Sequence, residues 1–295
     1  MLNTNHQISS VNFHLWEPCN MCCKFCFATF QDVKQSILPK GHLPKNEALQ
    51  VVQQLADFGF QKITFAGGEP TLCKWLPELI ATAKDANQTT MIVTNGTQLS
   101  EKFLEQNSKK LDWIALSVDS LVSETNLTIG RAVVGKKVFQ LDEYRLLVDK
   151  IKYFGYGLKI NTVVNRSNYN EDMTDFIRYA KPKRWKILQV LPIIGQNDKY
   201  IDNFTITEEE FNLFLDRHSS LQDITSIVPE TNSQIKSSYA MVDPAGRFFD
   251  NTTGTYSYSK PILEVGVKTA IKELNYDFSK FISRGGEYEW ILNKE

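Results

Sequence analysis

Cys19-Asn20-Met21-Cys22-Cys23-Lys24-Phe25-Cys26 gathers four of the chain's five cysteines directly behind the apolar run Val11–Trp16. Such crowding is wrong for a disulfide framework, which spreads its cysteines, and suits thiolates collected on a metal in a reducing compartment. The spacing alone reads two ways: C-x3-C-x2-C through Cys19, Cys23 and Cys26, or C-x2-C-x3-C through Cys19, Cys22 and Cys26. Three thiolates on a [4Fe–4S] cubane leave its fourth iron free for a small chelating ligand, and nearby charge and exposure then set the potential. A structural zinc knuckle would pair C-x2-C elements from separate segments, and here there is neither a second pair nor a nearby histidine. Cys73 stands apart and reads as a buried apolar thiol.

From this stretch outward, short apolar runs alternate with helical patterns. The strand candidates are Val11–Trp16, Lys62–Ala66, Met91–Thr94, Trp113–Val118, Leu158–Val164 and Trp185–Leu191. Between them Leu49, Val52 and Ala56 mark one amphipathic helix, and Leu141, Tyr144, Val148 and Ile151 another. A later helix opens with a capping box, Thr207 and Glu210. Six β-α units predict an α/β fold with a parallel sheet curled by right-handed crossovers, too few for a closed eight-stranded barrel and so a partial (β/α)6 barrel. The expected division is a tail over 1–10, the partial barrel over 11–220, and a C-terminal cap over 221–295 that lacks βα rhythm and completes the site.

In such folds chemistry sits at the C-terminal ends of the strands. The cysteines follow the first strand, Gly67-Gly68-Glu69-Pro70 the second, Asn95-Gly96 the third, and Ser117-Val118-Asp119-Ser120 the fourth. Cysteines spaced C-x3-C-x2-C with aromatic Phe25 before the last, then GGEP one βα unit later, resemble the radical S-adenosylmethionine (SAM) superfamily. The resemblance implies a cluster on Cys19, Cys23 and Cys26, with Cys22 a spare thiol. It implies SAM contacts from Phe25, near the adenine, and from Gly67, Gly68 and Glu69, near the methionine amino group; Asn95 and Ser117 are expected at its ribose or carboxylate.

Further segments are similar to the viperin family of nucleotide dehydratases. These are Ile129-Gly130-Arg131, Gly135-Lys136-Lys137, Lys159-Ile160-Asn161, Asn165-Arg166, Asn170-Glu171-Asp172-Met173, Arg184-Trp185-Lys186, Val228-Pro229-Glu230-Thr231-Asn232, Lys260 and Arg284-Gly285-Gly286-Glu287-Tyr288. The similarity covers nearly the whole chain. It implies dehydration of a ribonucleoside triphosphate (CTP, with UTP or GTP as alternatives) to its 3′-deoxy-3′,4′-didehydro analogue, a chain terminator in antiviral defence. A 5′-deoxyadenosyl radical would take the 4′ hydrogen, and the 3′ hydroxyl would leave as water. No residue is assigned as its proton donor. Lys159 and Asn161, two apart on one strand, share a side, as do Arg184 and Lys186 on the next. With Arg131, Lys137 and Lys260 they are the expected substrate contacts, because Arg forks and Lys charge suit a triphosphate. Ala245 stands where animal members have tyrosine and is expected to loosen base or ribose recognition.

The bulk properties are those of an ordinary globular protein, 42% hydrophobic and 23% charged. A net charge of −1 gives no global attraction to nucleic acid or anionic lipid. No apolar stretch reaches the roughly 18 residues that span a bilayer, and the N-terminus lacks a signal-peptide pattern. A cytoplasmic monomer served by an external electron donor is expected, without nucleic-acid or membrane partners. Two rival readings are a radical SAM enzyme acting on peptide or RNA, and a non-catalytic Cys–metal interaction protein.

Overall fold

The computed structural model describes residues 8–292; most of the expected tail lies outside them. Ten strands form one sheet: β1 (Ser10–Trp16), β2 (Lys62–Gly67), β3 (Thr89–Thr94), β4 (Trp113–Ser117), β5 (Gly157–Val164), β6 (Arg184–Gln189), β7 (Ser226–Glu230), β8 (Met241–Val242), β9 (Arg247–Asp250) and β10 (Ser257–Pro261). Their order is β10-β9-β8-β1-β2-β3-β4-β5-β6-β7. β1 to β7 run parallel, β8 joins β1 in parallel, and β9 and β10 add antiparallel. The six expected strands are β1–β6, the bounds moving by no more than two residues.

The segment after residue 220 is more than a cap, because it supplies β7 on one side of the parallel set and β8–β10 on the other. The βα rhythm in fact continues: helix Glu208–Arg217, with its Thr207–Glu210 capping box, leads into β7. The strand was hidden by Pro229, which lacks a ladder donor and is tolerated because β7 is the edge strand beside β6 among the described residues. β8 is too short for any period.

Alternation along the strands decides what each face does. Val11, Phe13 and Leu15 of β1, Ile63 and Phe65 of β2, Leu158 and Ile160 of β5, and Trp185 and Ile187 of β6 face the main apolar core. That core is completed by the crossover helices. Lys45–Phe58 buries Ala48, Val51, Val52 and Leu55, a face turned slightly from the expected one, and Leu141–Tyr153 buries Tyr144, Leu147, Val148 and Ile151. The alternate residues, Ser10, Asn12 and His14, then Lys62, Thr64 and Ala66, then Lys159, Asn161 and Val163, then Arg184, Lys186 and Leu188, line a cavity on the opposite face. Among the described residues no helix is long and apolar enough to cross a membrane.

Candidate functional site

The cysteine loop leaves β1 at Trp16 and is held from two sides. Gly68 N donates to Trp16 O and Glu69 N to Pro18 O. A Cβ at Gly68 would lie 2.1 Å from Glu17 O, so the close backbone approach itself requires glycine there. On the other side Cys22 N donates to Gly130 O and Lys24 N to Ile129 O, and a Cβ at Gly130 would lie 2.2 Å from Cys22 O. Thus the first task of the second glycine in GGEP is to seat the cysteine loop.

Cys19, Cys23 and Cys26 line the cavity, whereas exposed Cys22 does not. The C-x3-C-x2-C set therefore shares one cavity, and the C-x2-C-x3-C set does not. Among the described residues no three potential ligands are already closed around one ion. The donor set nevertheless fits an iron–sulfur cluster with one open iron: three thiols of a single turn face a ligand-sized cavity. Burial pushes the Cys19 thiol to about 11 and Cys26 to about 12, and raises Cys23, so loading a metal must expel thiol protons.

Gly67, Gly68 and Glu69 line the same cavity. The buried Glu69 carboxylate accepts from Thr71 N and Oγ1 and Thr94 Oγ1 at Oε1, and from Asn95 N at Oε2. Burial raises its pKa while these donors oppose the rise, and Oε2 keeps capacity for another donor such as an ammonium group. Asn95 also lines the cavity, but its amide is largely spent: Nδ2 donates to Asn20 Oδ1 of the cysteine loop, and Oδ1 accepts from Thr97 N and Oγ1. Ser117 and Asn161 are register partners on β4 and β5 and both face inward. Phe25 borders the cavity while packing edge-on to Phe204, 6.4 Å between centroids.

Of the expected substrate cations, Lys159, Arg184 and Lys186 reach the cavity together with Asn161. Arg131 also reaches it but is paired with buried Asp119 and stands beside the Cys23 thiol, at the cysteine end. Burial alone would depress its guanidinium; Asp119 more than offsets this and keeps it charged. Lys137 and Lys260 are not brought in. Lys137 is exposed, 3.7 Å from Glu143, and exposed Lys260 is tied through its backbone N to Glu273. Ala245 is likewise off the cavity wall, buried among Phe30, Val33, Met241 and Phe249, so the expected loosening of recognition has no direct route.

Lys62 and Arg284 join the lining cations unannounced by the strand pairs. Period-two phase was the available signal for Lys62, which stands in step with Thr64 and Ala66. One buried carboxylate, Glu230, faces the group: Lys186 Nζ lies 2.6 Å and Arg284 Nη1 3.1 Å from its Oε1, and Tyr239 OH donates to Oε2. Arg284 stacks 3.7 Å from the Tyr239 ring centroid and Arg184 4.3 Å from that of Tyr288, while Lys62 sits over Tyr288 and Trp290. Burial, then Arg184 and Arg284, lower Lys62 to about 7. Burial lowers Lys186 to about 7 although Glu230 opposes it, and burial with Lys186, Lys62 and Arg184 takes Lys159 well down. Crowded buried cations facing one carboxylate call for a polyanion.

A family model described as the Radical SAM superfamily matches residues 16–206. A Lacinutrix mariniflava protein named S-adenosylmethionine-dependent nucleotide dehydratase is 63% identical over 292 residues, which is 99% of this chain but 61% of that relative. A Flammeovirga pacifica protein of the same name is 55% identical over 290 residues, 98% of this chain and 99% of its own length. Among solved structures, anSMEcpe with bound AdoMet superposes with a TM-score of 0.67 over 89% of this chain and 77% of that one; at 15% identity this likeness shows the fold alone.

Proposed function

The chain belongs to the radical SAM superfamily and, within it, to the viperin-type S-adenosylmethionine-dependent nucleotide dehydratases, and on that premise we propose that it dehydrates a ribonucleoside triphosphate. The observation that carries this reading is the group Lys62, Lys159, Arg184, Lys186 and Arg284 in the cavity that also receives the thiols of Cys19, Cys23 and Cys26. Held there by Cys19, Cys23, Cys26 and Glu69, the cluster and SAM would supply the radical chemistry for hydrogen abstraction from the ribose. The chain's own residues hold and shield. Glu69 Oε2 takes the methionine ammonium, Phe25 borders the adenine, and Ser117 and Asn161 serve the SAM ribose and the substrate. The cations neutralise the triphosphate, and Glu230 fixes Lys186 and Arg284 so that little is reorganised on binding. CTP, with UTP or GTP as alternatives, is the proposed substrate, and the didehydro product a chain terminator in antiviral defence. An external one-electron donor and a monomer in the reducing cytoplasm complete the proposal.

The test is anaerobic reconstitution with iron and sulfide, then dithionite, SAM and each of the four triphosphates separately. A nucleotide lighter by one water, formed only with SAM, is expected. If 5′-deoxyadenosine forms while every nucleotide survives, SAM cleavage stands and nucleotide dehydration falls.

The lysines give this binding a pH signature. With both near 7 instead of the ordinary 10.5, the empty fold binds fewer protons than the unfolded chain between those values. Their contribution to stability therefore rises with pH across that window. A bound triphosphate restores the charged forms, so binding at pH 8 takes up protons and weakens as pH rises. Calorimetry in two buffers of different ionisation enthalpy reads the uptake directly, and thermal melts without nucleotide read the stability trend.

A further inference from the structure

His14 on β1 is buried among rings, its centroid 5.4 Å from that of Phe30, 5.6 Å from Phe249 and 6.1 Å from Phe27, all edge-on. It nonetheless borders the cavity, and its Nδ1 is buried without a hydrogen-bond partner among the described residues. A buried polar nitrogen left unpaired costs on the order of 1–3 kcal/mol, so such a group points to a ligand. Burial lowers its pKa to about 4, which leaves the ring neutral at working pH, with one donor and one acceptor and no charge for a phosphate.

The cavity carries two apolar patches. One is Phe25 with Val163, which pack together; the other is Ala28 and Met241, packed with the Phe30 and Phe249 rings that enclose His14, beside Phe27 edge-on to it. The proposed reaction brings two heterocycles into one cavity, the adenine of SAM and the base of the substrate. With Phe25 beside the adenine, the His14 patch is left for the base. We propose that His14 is a specificity-determining residue whose imidazole hydrogen-bonds the nucleobase of the triphosphate, with Phe27, Ala28 and Met241 flanking the base. This rests on the dehydratase reading above.

The test compares wild-type protein with His14→Phe, which keeps the aromatic packing, and His14→Gln, which restores a donor and an acceptor. Each is reconstituted, and kcat/KM is measured for CTP, UTP, GTP and ATP alongside the KM for SAM. The preference for the best triphosphate over the next is expected to fall about tenfold in His14→Phe, as for one lost neutral hydrogen bond, and to recover in part in His14→Gln. Iron content and the KM for SAM should hold. An equal loss for all four triphosphates with the preference intact would mean packing only and overturn the inference. So would a raised KM for SAM with the preference intact, or a wild-type protein without preference. If His14→Phe does not fold, an unchanged preference in His14→Gln, whose amide cannot reproduce the ring's geometry, overturns it as well. Intact nucleotides with all three proteins would instead sink the dehydratase reading itself.

Discussion

Serine at Cys26 will strip bound iron and sulfide from the reconstituted protein and abolish nucleotide turnover, while serine at Cys22 will leave both near wild type. Both cysteines lie in the same turn and differ by what they face. Cys26 lines the cavity with Cys19 and Cys23; Cys22 is exposed, its backbone N spent on Gly130 O. A thiolate is the ligand, and a serine hydroxyl resists the deprotonation that a buried site already makes costly for a thiol raised to about 12. Losing one of three protein ligands leaves two irons open, and a cubane so held does not survive in a solvent-accessible cavity. Cys19→Ser and Cys23→Ser should match Cys26→Ser. Iron and sulfide analysis with the visible spectrum reads the first effect, and dehydrated nucleotide the second. If Cys22→Ser lost its iron and Cys23→Ser kept it, the ligand set would be C-x2-C-x3-C after all. Zinc bound in place of iron would favour a non-catalytic metal scaffold.

The parallel core was legible because its strands are short apolar runs of fixed period between helical patterns, and the observed β1–β6 follow them closely. The inward phase of Lys159, Asn161, Arg184 and Lys186 followed from the same period of two, and applying it to β2 would have added Lys62. What could not be read was partnership. Arg131 looks like any cation in sequence; only the fold puts Asp119 against it and turns it toward Cys23. Glu230 lies far along the chain from Lys186 yet binds it, through a strand disguised by Pro229. Lys137 lies outside the ten strands, and Lys260 lies on β10, a short edge strand whose SYSKP sequence shows no apolar alternation to fix its direction; both face solvent. His14 reads, like Asn12, as a polar residue in an apolar run, and its value as an unpaired group appears only once Phe27, Phe30 and Phe249 close around it.

Lys159→Met should make the empty protein more stable and the enzyme much worse, two effects of opposite sign from one substitution. Lys159 is buried on β5 and, unlike Lys186, has no ion pair or hydrogen bond among the described residues. Burial first, then Lys186, Lys62 and Arg184, disfavour its charged form, and Glu230 offsets this only in part. Methionine of similar length fills the space and has no proton to lose. With its pKa well below 10.5 the amine gives up its proton in the empty fold, so the fold loses the free energy of that deprotonation as well as the cost of an unpaired buried amine, about 1–3 kcal/mol, and methionine incurs neither. The lower half of that range raises the melting temperature by a few degrees in a chain of this size. Bound triphosphate reverses the balance, because the polyanion draws the proton back onto Lys159 and pairs with the charge. A charge-assisted hydrogen bond of about 1.5–3 kcal/mol is then lost, and KM for the triphosphate should rise on the order of tenfold to a hundredfold. Stabilisation by added nucleotide should shrink by the same factor in affinity. Melts with and without triphosphate, and KM for nucleotide and for SAM, separate the terms. A variant that melts lower in the empty state, or that loses SAM affinity instead of nucleotide affinity, would show that Lys159 holds the fold or the cofactor and not the triphosphate.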